Sequence, residues 1–124
     1  MSVGDSDMVG NRVWLEYFDQ NYRFQEAFTP QYCTIRKQYN DKNGGKNWHL
    51  VELDIPFGYE GVTYDYLLIA SRWVGGQVGA DEPTAVFIVL VPNPDDAESF
   101  FLDQSLYIAW GFTARKKDDI KRQN

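Results

Sequence analysis

His49 is the single histidine of the chain and Cys33 the single cysteine. The side chains that most often serve as general base, nucleophile or transition-metal ligand therefore occur once each. His49 sits in Trp48-His49-Leu50-Val51-Glu52-Leu53-Asp54. On an extended strand His49, Val51, Leu53 and Ile55 face one side, and Trp48, Glu52 and Asp54 the other. A general base needs a carboxylate or nucleophile within hydrogen-bond reach, and this alternation places the nearby carboxylates on the wrong face. The sequence thus reads His49 as a buried, hydrogen-bonded structural histidine. Cys33, in Tyr-Cys-Thr-Ile, reads as a small apolar filler.

Two spacings imitate ligand loops and fail. Asp41, Asn43, Gly45 and Glu52 occupy positions 1, 3, 5 and 12 of a would-be calcium loop. Gly45 brings no ligating side chain, and Lys46 stands where the sharp turn requires glycine. Gly75, Gly76 and Gly79 fit neither the P-loop nor the dinucleotide fingerprint. The expectation is no catalytic residue, no metal and no cofactor.

Aromatic side chains supply the remaining chemistry: four Trp, eight Tyr and eight Phe. Tyr and Trp combine apolar bulk with a polar handle, which suits both core and ligand surface. Tyr64 and Tyr66 share a strand face by alternation, Trp48 is expected across from them, and Tyr59 lies in the preceding loop. With Arg72 they form the expected ligand-binding set Trp48, Tyr59, Tyr64, Tyr66 and Arg72. The reading is a small binding or interaction protein that holds a small ligand or protein partner on an aromatic-lined face or pocket. Two alternatives stand beside it. One is a small enzyme using Glu52, Asp54 or Asp65 with Tyr or His49 in a barrel mouth. The other is an acidic protein that neutralises a basic partner through residues 81–103.

The elements that must position these residues are mainly strands. Thr84-Ala-Val-Phe-Ile-Val-Leu-Val91, fenced by Pro83 and Pro92, is uncharged and rich in β-branched residues. It predicts a strand buried on both faces, with neighbours on both sides. Gln31 to Tyr39 predicts a strand, and Asn43-Gly44 a hairpin turn within 40–45. Lys46 to Ile55 returns as a strand, Pro56 to Gly61 reads as a loop, and Val62 to Val74 as a long strand. Residues 75–82 connect into the central strand. Asn93 as cap, Pro94 at the first helical position and Asp95, Asp96 and Glu98 near the dipole's positive end predict a short helix over 94–102. Ser105 to Thr113 closes as a strand with Leu106, Ile108, Trp110 and Phe112 inward.

The segment 11–28 supports two patterns. Either 12–18 is a strand that turns at 19–21 into a second extended segment over 22–28, or 11–28 is an amphipathic helix. Short connections between consecutive strands favour a mainly β fold: a small antiparallel barrel or strongly bent roll of five to six strands with one short helix. The alternative is an α+β fold with the helix 11–28 packed on an antiparallel sheet. Domain organisation follows as a flexible leader over 1–10, one β-rich domain over 11–114 and a charged tail over 115–124.

Charge is uneven within the net −6. Residues 1–57 carry −2, residues 58–103 carry −7 with Arg72 the single base, and residues 104–124 carry +3. Phosphate would be repelled by the middle of the chain, so nucleic acid is not an expected partner. No apolar stretch reaches the ~18 residues that span a bilayer, and the first residues lack the apolar core of a signal peptide. A cytoplasmic protein is expected. The aromatic load exceeds what one small core requires, so an incompletely closed barrel is expected to pair as a homodimer.

Overall fold

The computed structural model describes residues 9–17, 22–41, 46–71, 84–96 and 107–114. Six strands run in chain order: β1 Arg12–Tyr17, β2 Gln31–Asp41, β3 Lys46–Tyr59, β4 Val62–Ser71, β5 Thr84–Leu90 and β6 Tyr107–Ala114. Each pairs antiparallel with the next, and β6 pairs back onto β1, so the sheet is a closed barrel. Among the described residues one helix, α1 Tyr22–Ala27, lies between β1 and β2, and one 3₁₀ turn, Pro94–Asp96, follows β5.

The ambiguous N-terminal segment divides between its two patterns. Residues 12–17 are a strand held on both sides, Val13 opposite Cys33 and Leu15 opposite Thr113. A helix over 11–28 is thereby overturned for its first half. The second extended segment is overturned as well, because 22–27 is helical. The reason lies in spacing: Phe24 and Phe28, four residues apart, share one helix face and are both buried. They meet Phe57 at centroid separations of 5.4 and 5.5 Å, edge-on, and stack on each other at 5.4 Å. These rings close one end of the barrel.

Inward-facing residues form one continuous cluster. Val13, Leu15, Cys33, Ile35, Val51, Leu53, Leu67, Ile69, Val86 and Ile88 fill the barrel beneath the helical plug. A second cluster sits on the outer wall of β2 to β5, where Tyr39, Trp48, Leu50, Leu68, Ala70 and Val89 are joined by Val91. Strand β5 is thus buried on both faces, as its uninterrupted apolar run predicts: Ile88 points in, Val89 points out, and both are fully buried.

Irregularities in the ladder account for most departures from simple alternation. The β3–β4 hairpin is longer than expected. Strand β3 continues through Pro56 to Tyr59, and the turn is only Glu60-Gly61, both at positive φ (51° and 83°). This two-residue geometry matches the twist of the flanking strands, and Gly61 accommodates it without strain. Between the pairs Glu52–Tyr66 and Phe57–Tyr64, residues 53–56 of β3 face Asp65 alone. Pro56 falls in this bulge, where no ladder donor is needed. The bulge also turns Ile55 outward, to 49% exposure, against its expected inward position.

The backbone freed at the bulge is caught by a side chain. Gln31 Oε1 accepts from the Ile55 N–H at 2.7 Å, and Gln31 Nε2 donates to the Ile55 carbonyl at 3.0 Å. Gln31 Nε2 also donates to the Thr29 carbonyl at 3.0 Å. The amide acts as an extra peptide unit, pairing with β3 where the ladder is interrupted. On β6 the expected facing is reversed for Phe112. It pairs with Ala85 and Glu16 on the outer wall, while Thr113 points in and is fully buried. Of the helix expected over 94–102, the described part is the turn 94–96, with Asn93 Oδ1 accepting from the Asp95 N–H at 3.0 Å. Residues 1–8 of the expected leader, 42–45 of the expected turn, 72–74 of the expected long strand, the connection over 75–82, the remainder of that helix, 105–106 of the last expected strand and the tail over 115–124 lie outside the described residues. Among the described residues no helix is long and apolar enough to cross a membrane.

Candidate functional site

Strand number limits where a ligand can sit. Barrel diameter grows with the number of strands, and about eight are needed before the interior can enclose even one small ligand. Six strands leave an interior filled by side chains, which is what the inner cluster shows. A binding site on this barrel therefore belongs on the outer wall or at an end.

The structure divides the expected aromatic set. Tyr64 belongs to the inner cluster, stacked on Phe57 at 5.6 Å. Tyr59 packs beside it and meets Phe24 edge-on at 5.9 Å. Burial, reinforced by the nearby Glu60 carboxylate, raises the Tyr64 phenol above its ordinary pKa. These two rings face the helical plug. Trp48 and Tyr66 lie on the outer wall instead, Trp48 fully buried between Tyr39 and Ala70, and Tyr66 half-buried opposite Glu52. The wide bulge between Tyr64 and Tyr66 separates two rings that alternation would place together. Arg72 lies outside the described residues.

Tyr66 lines a cleft of about 540 Å³ on the outer wall. Tyr39 and Leu50 line it with Tyr66, giving an apolar and aromatic floor. Arg36 and Lys37 border it from β2, and Pro94 and Asp95 from the turn after β5. Consecutive residues of a regular strand point to opposite faces, yet Arg36 and Lys37 both border this cleft. A register shift explains it: Ile35 pairs with Val51, and the next pair is Lys37 with Leu50, so Arg36 is the extra residue of a bulge. Bulges re-aim side chains in this way. The sequence signal was present, because Lys37 falls at the inward position set by Cys33 and Ile35, where a lysine cannot be accommodated. Arg36, Lys37, Tyr39, Leu50 and Asp95 line this cleft and were not among the residues the sequence reading named.

The cleft's charges are held in distinct ways. Arg36 Nε donates to Glu52 Oε1 at 2.7 Å, which orients the guanidinium and leaves its terminal amino groups without a partner among the described residues. Lys37 Nζ lies 5.1 Å from the Tyr39 ring centroid, a cation–π arrangement. No ion pair joins either cation to Asp95. Nearby on the same wall, Arg12 grips Asp54 with both terminal nitrogens, and this hydrogen bonding holds the Asp54 carboxyl below its ordinary pKa.

The other titratable residues considered in the sequence sit apart from the cleft. His49 is buried at an inward position between Gln38 and Ile69, on the opposite side of the sheet from Glu52 and Asp54. Cys33 is fully buried, and loss of solvation pushes its thiol up to about 12. Among the described residues no group of three or more His, Cys, Asp or Glu side chains is placed to hold a metal ion.

Comparison with protein-family models, with curated proteins and with solved structures finds no significant match to this chain.

Proposed function

We propose that this protein binds a small ligand on the outer wall of its barrel, in the cleft between β2–β4 and the Pro94–Asp96 turn. The supporting observation is the paired bulge cations Arg36 and Lys37 above a floor of Tyr39, Leu50 and Tyr66. Small-ligand sites are concave and mostly apolar, with a few placed polar groups that fix orientation. The cleft is concave and its volume of about 540 Å³ falls in the usual range of roughly 300–1,000 Å³, with a lining more polar than apolar.

A ligand-observed NMR screen of small fragments against the whole chain tests this reading. Hits are expected to perturb the amides of Lys37, Leu50 and Tyr66, and to weaken at least several-fold in Tyr66→Ala. Hits that map elsewhere, or that bind the Tyr66→Ala protein equally well, would overturn it.

A further inference from the structure

From the same cleft we infer the ligand's chemical class: a free α-amino acid with an aromatic or large apolar side chain. This inference rests on the cleft being a binding site. It deepens that reading through one arrangement, in which charges of both signs border a single cavity without neutralising one another.

Arg36 and Lys37 come from the bulge in β2, and Asp95 from the turn after β5, across a cleft of about 540 Å³. Exposed ion pairs gain little, so charges at a cleft rim can stay apart and remain available to a ligand. Here neither cation pairs with Asp95. Among the described residues, the terminal amino groups of Arg36 and the Asp95 carboxylate keep their hydrogen-bonding capacity, and Lys37 meets the Tyr39 ring. A carboxylate alone would satisfy the cations and leave Asp95 facing a like charge. An amine alone would satisfy Asp95 and leave two cations unused. A zwitterion satisfies both, its carboxylate on Arg36 and Lys37 and its ammonium on Asp95. The guanidinium is pre-oriented by Glu52, so less freedom is lost when its remaining donors engage a planar carboxylate. The same cleft is lined by Leu50 with the Tyr39 and Tyr66 rings, which suits an aromatic or bulky apolar side chain.

Three probes of one skeleton separate the poles: L-phenylalanine, 3-phenylpropionate, which lacks the amine, and phenethylamine, which lacks the carboxylate. Each is titrated into the full chain, with the Lys37, Leu50 and Tyr66 amide shifts as readout. Ligands of this size reach about millimolar affinity from modest contacts. L-phenylalanine is expected to bind roughly tenfold tighter than either analogue, about 1.4 kcal/mol. Asp95→Asn should erase its advantage over 3-phenylpropionate, weakening L-phenylalanine while leaving 3-phenylpropionate no weaker than before. Lys37→Met should weaken both carboxylates several-fold. Both substituted positions line the cleft and are exposed, and circular dichroism verifies that the variants stay folded.

If 3-phenylpropionate binds as tightly as L-phenylalanine, or Asp95→Asn changes nothing, the zwitterion inference is wrong and the cleft remains a site for simple anions. If none of the probes moves the cleft amides while fragments do, the amino-acid class is wrong. If neither probes nor fragments bind there, both this inference and the proposed function fail.

Discussion

Replacing Gln31 with leucine tests whether a side-chain amide holds the β3 bulge together. Gln31 is 3% exposed and supplies three hydrogen bonds: one from the Ile55 N–H, one to the Ile55 carbonyl and one to the Thr29 carbonyl. Leucine has similar bulk and no polar atom, so Gln31→Leu removes every partner at once. A buried group left without its partner costs about 1–3 kcal/mol. These bonds are only part-buried, and the two carbonyls can recover some hydration. Counting the Ile55 N–H near the middle of that range and the carbonyls at its lower end gives a loss of about 2–4 kcal/mol. For a chain of this size that is a fall in Tm of roughly 8–16 °C. Thermal and urea unfolding, followed by tryptophan fluorescence and circular dichroism, read it directly. Gln31→Glu supplies a second arm. The introduced carboxylate still accepts from the Ile55 N–H but turns its second oxygen toward two carbonyls, so its pKa is raised in the folded state. Its penalty should therefore be small in acid, where the protonated group donates again, and grow as pH rises above the unfolded value of about 4.3. A Gln31→Leu protein that melts within about 2 °C of the parent, less than 1 kcal/mol on the same scale, would refute the account.

Further outcomes follow from other parts of the barrel. Ile88→Asp and Val89→Asp, on opposite faces of β5, should each cost at least about 3 kcal/mol, since both introduce an unpaired charge where no water reaches; tolerance of either in a denaturation series removes burial of that face. Cys33 should resist an aromatic disulfide reagent at about pH 8 until the barrel opens, because its thiol titrates at about 12 and is enclosed; immediate reaction of the folded protein contradicts this. Arg12 lowers the folded pKa of Asp54, so the pair stabilises above the unfolded value of about 3.9 and that contribution is lost as pH falls through the lower folded value. Both side chains are about half exposed, so the effect is on the order of 0.2–1 kcal/mol. The stability difference between parent and Asp54→Asn should shrink in acid, and a difference that ignores pH speaks against the pairing.

What the sequence disclosed follows from the range of the interactions involved. Strand β5 was legible because a run without a polar residue has no solvent-facing alternative. The barrel was legible because the tight turns after β2 and β3 leave those strands few partners but their neighbours, and the apolar run of β5 demands a neighbour on each side. The local pattern at 11–28 supported strand and helix alike, and tertiary neighbours decided it: β2 and β6 claimed 12–17, while Phe57 and Tyr59 received the helix face carrying Phe24 and Phe28. The cleft was least legible. Two-residue alternation fails at a bulge, and the bulges at 35–37 and 52–57 moved Arg36 and Lys37 together and parted Tyr64 from Tyr66. Closure of the barrel also removes the open edge on which the expected homodimer rested.

The pairing of β1 with β6 has a consequence for the order of events in folding. Five of the six seams join strands adjacent in sequence, and the two closed by short turns, β2–β3 and β3–β4, are hairpins of the kind that form in microseconds. The sixth joins the two ends of the barrel, where the Thr113 hydroxyl donates to the Trp14 carbonyl across 99 positions. Loop-closure entropy is spent before that contact gives anything back, so it is placed late on the route to the native state. During synthesis β1 is the first stave to emerge, and it cannot acquire its second neighbour until β6 has left the ribosome. A nascent chain stalled near residue 100 would expose both vacant borders of the sheet, and this unfinished barrel, rather than the native one, is the species open to pairing with strands of other chains.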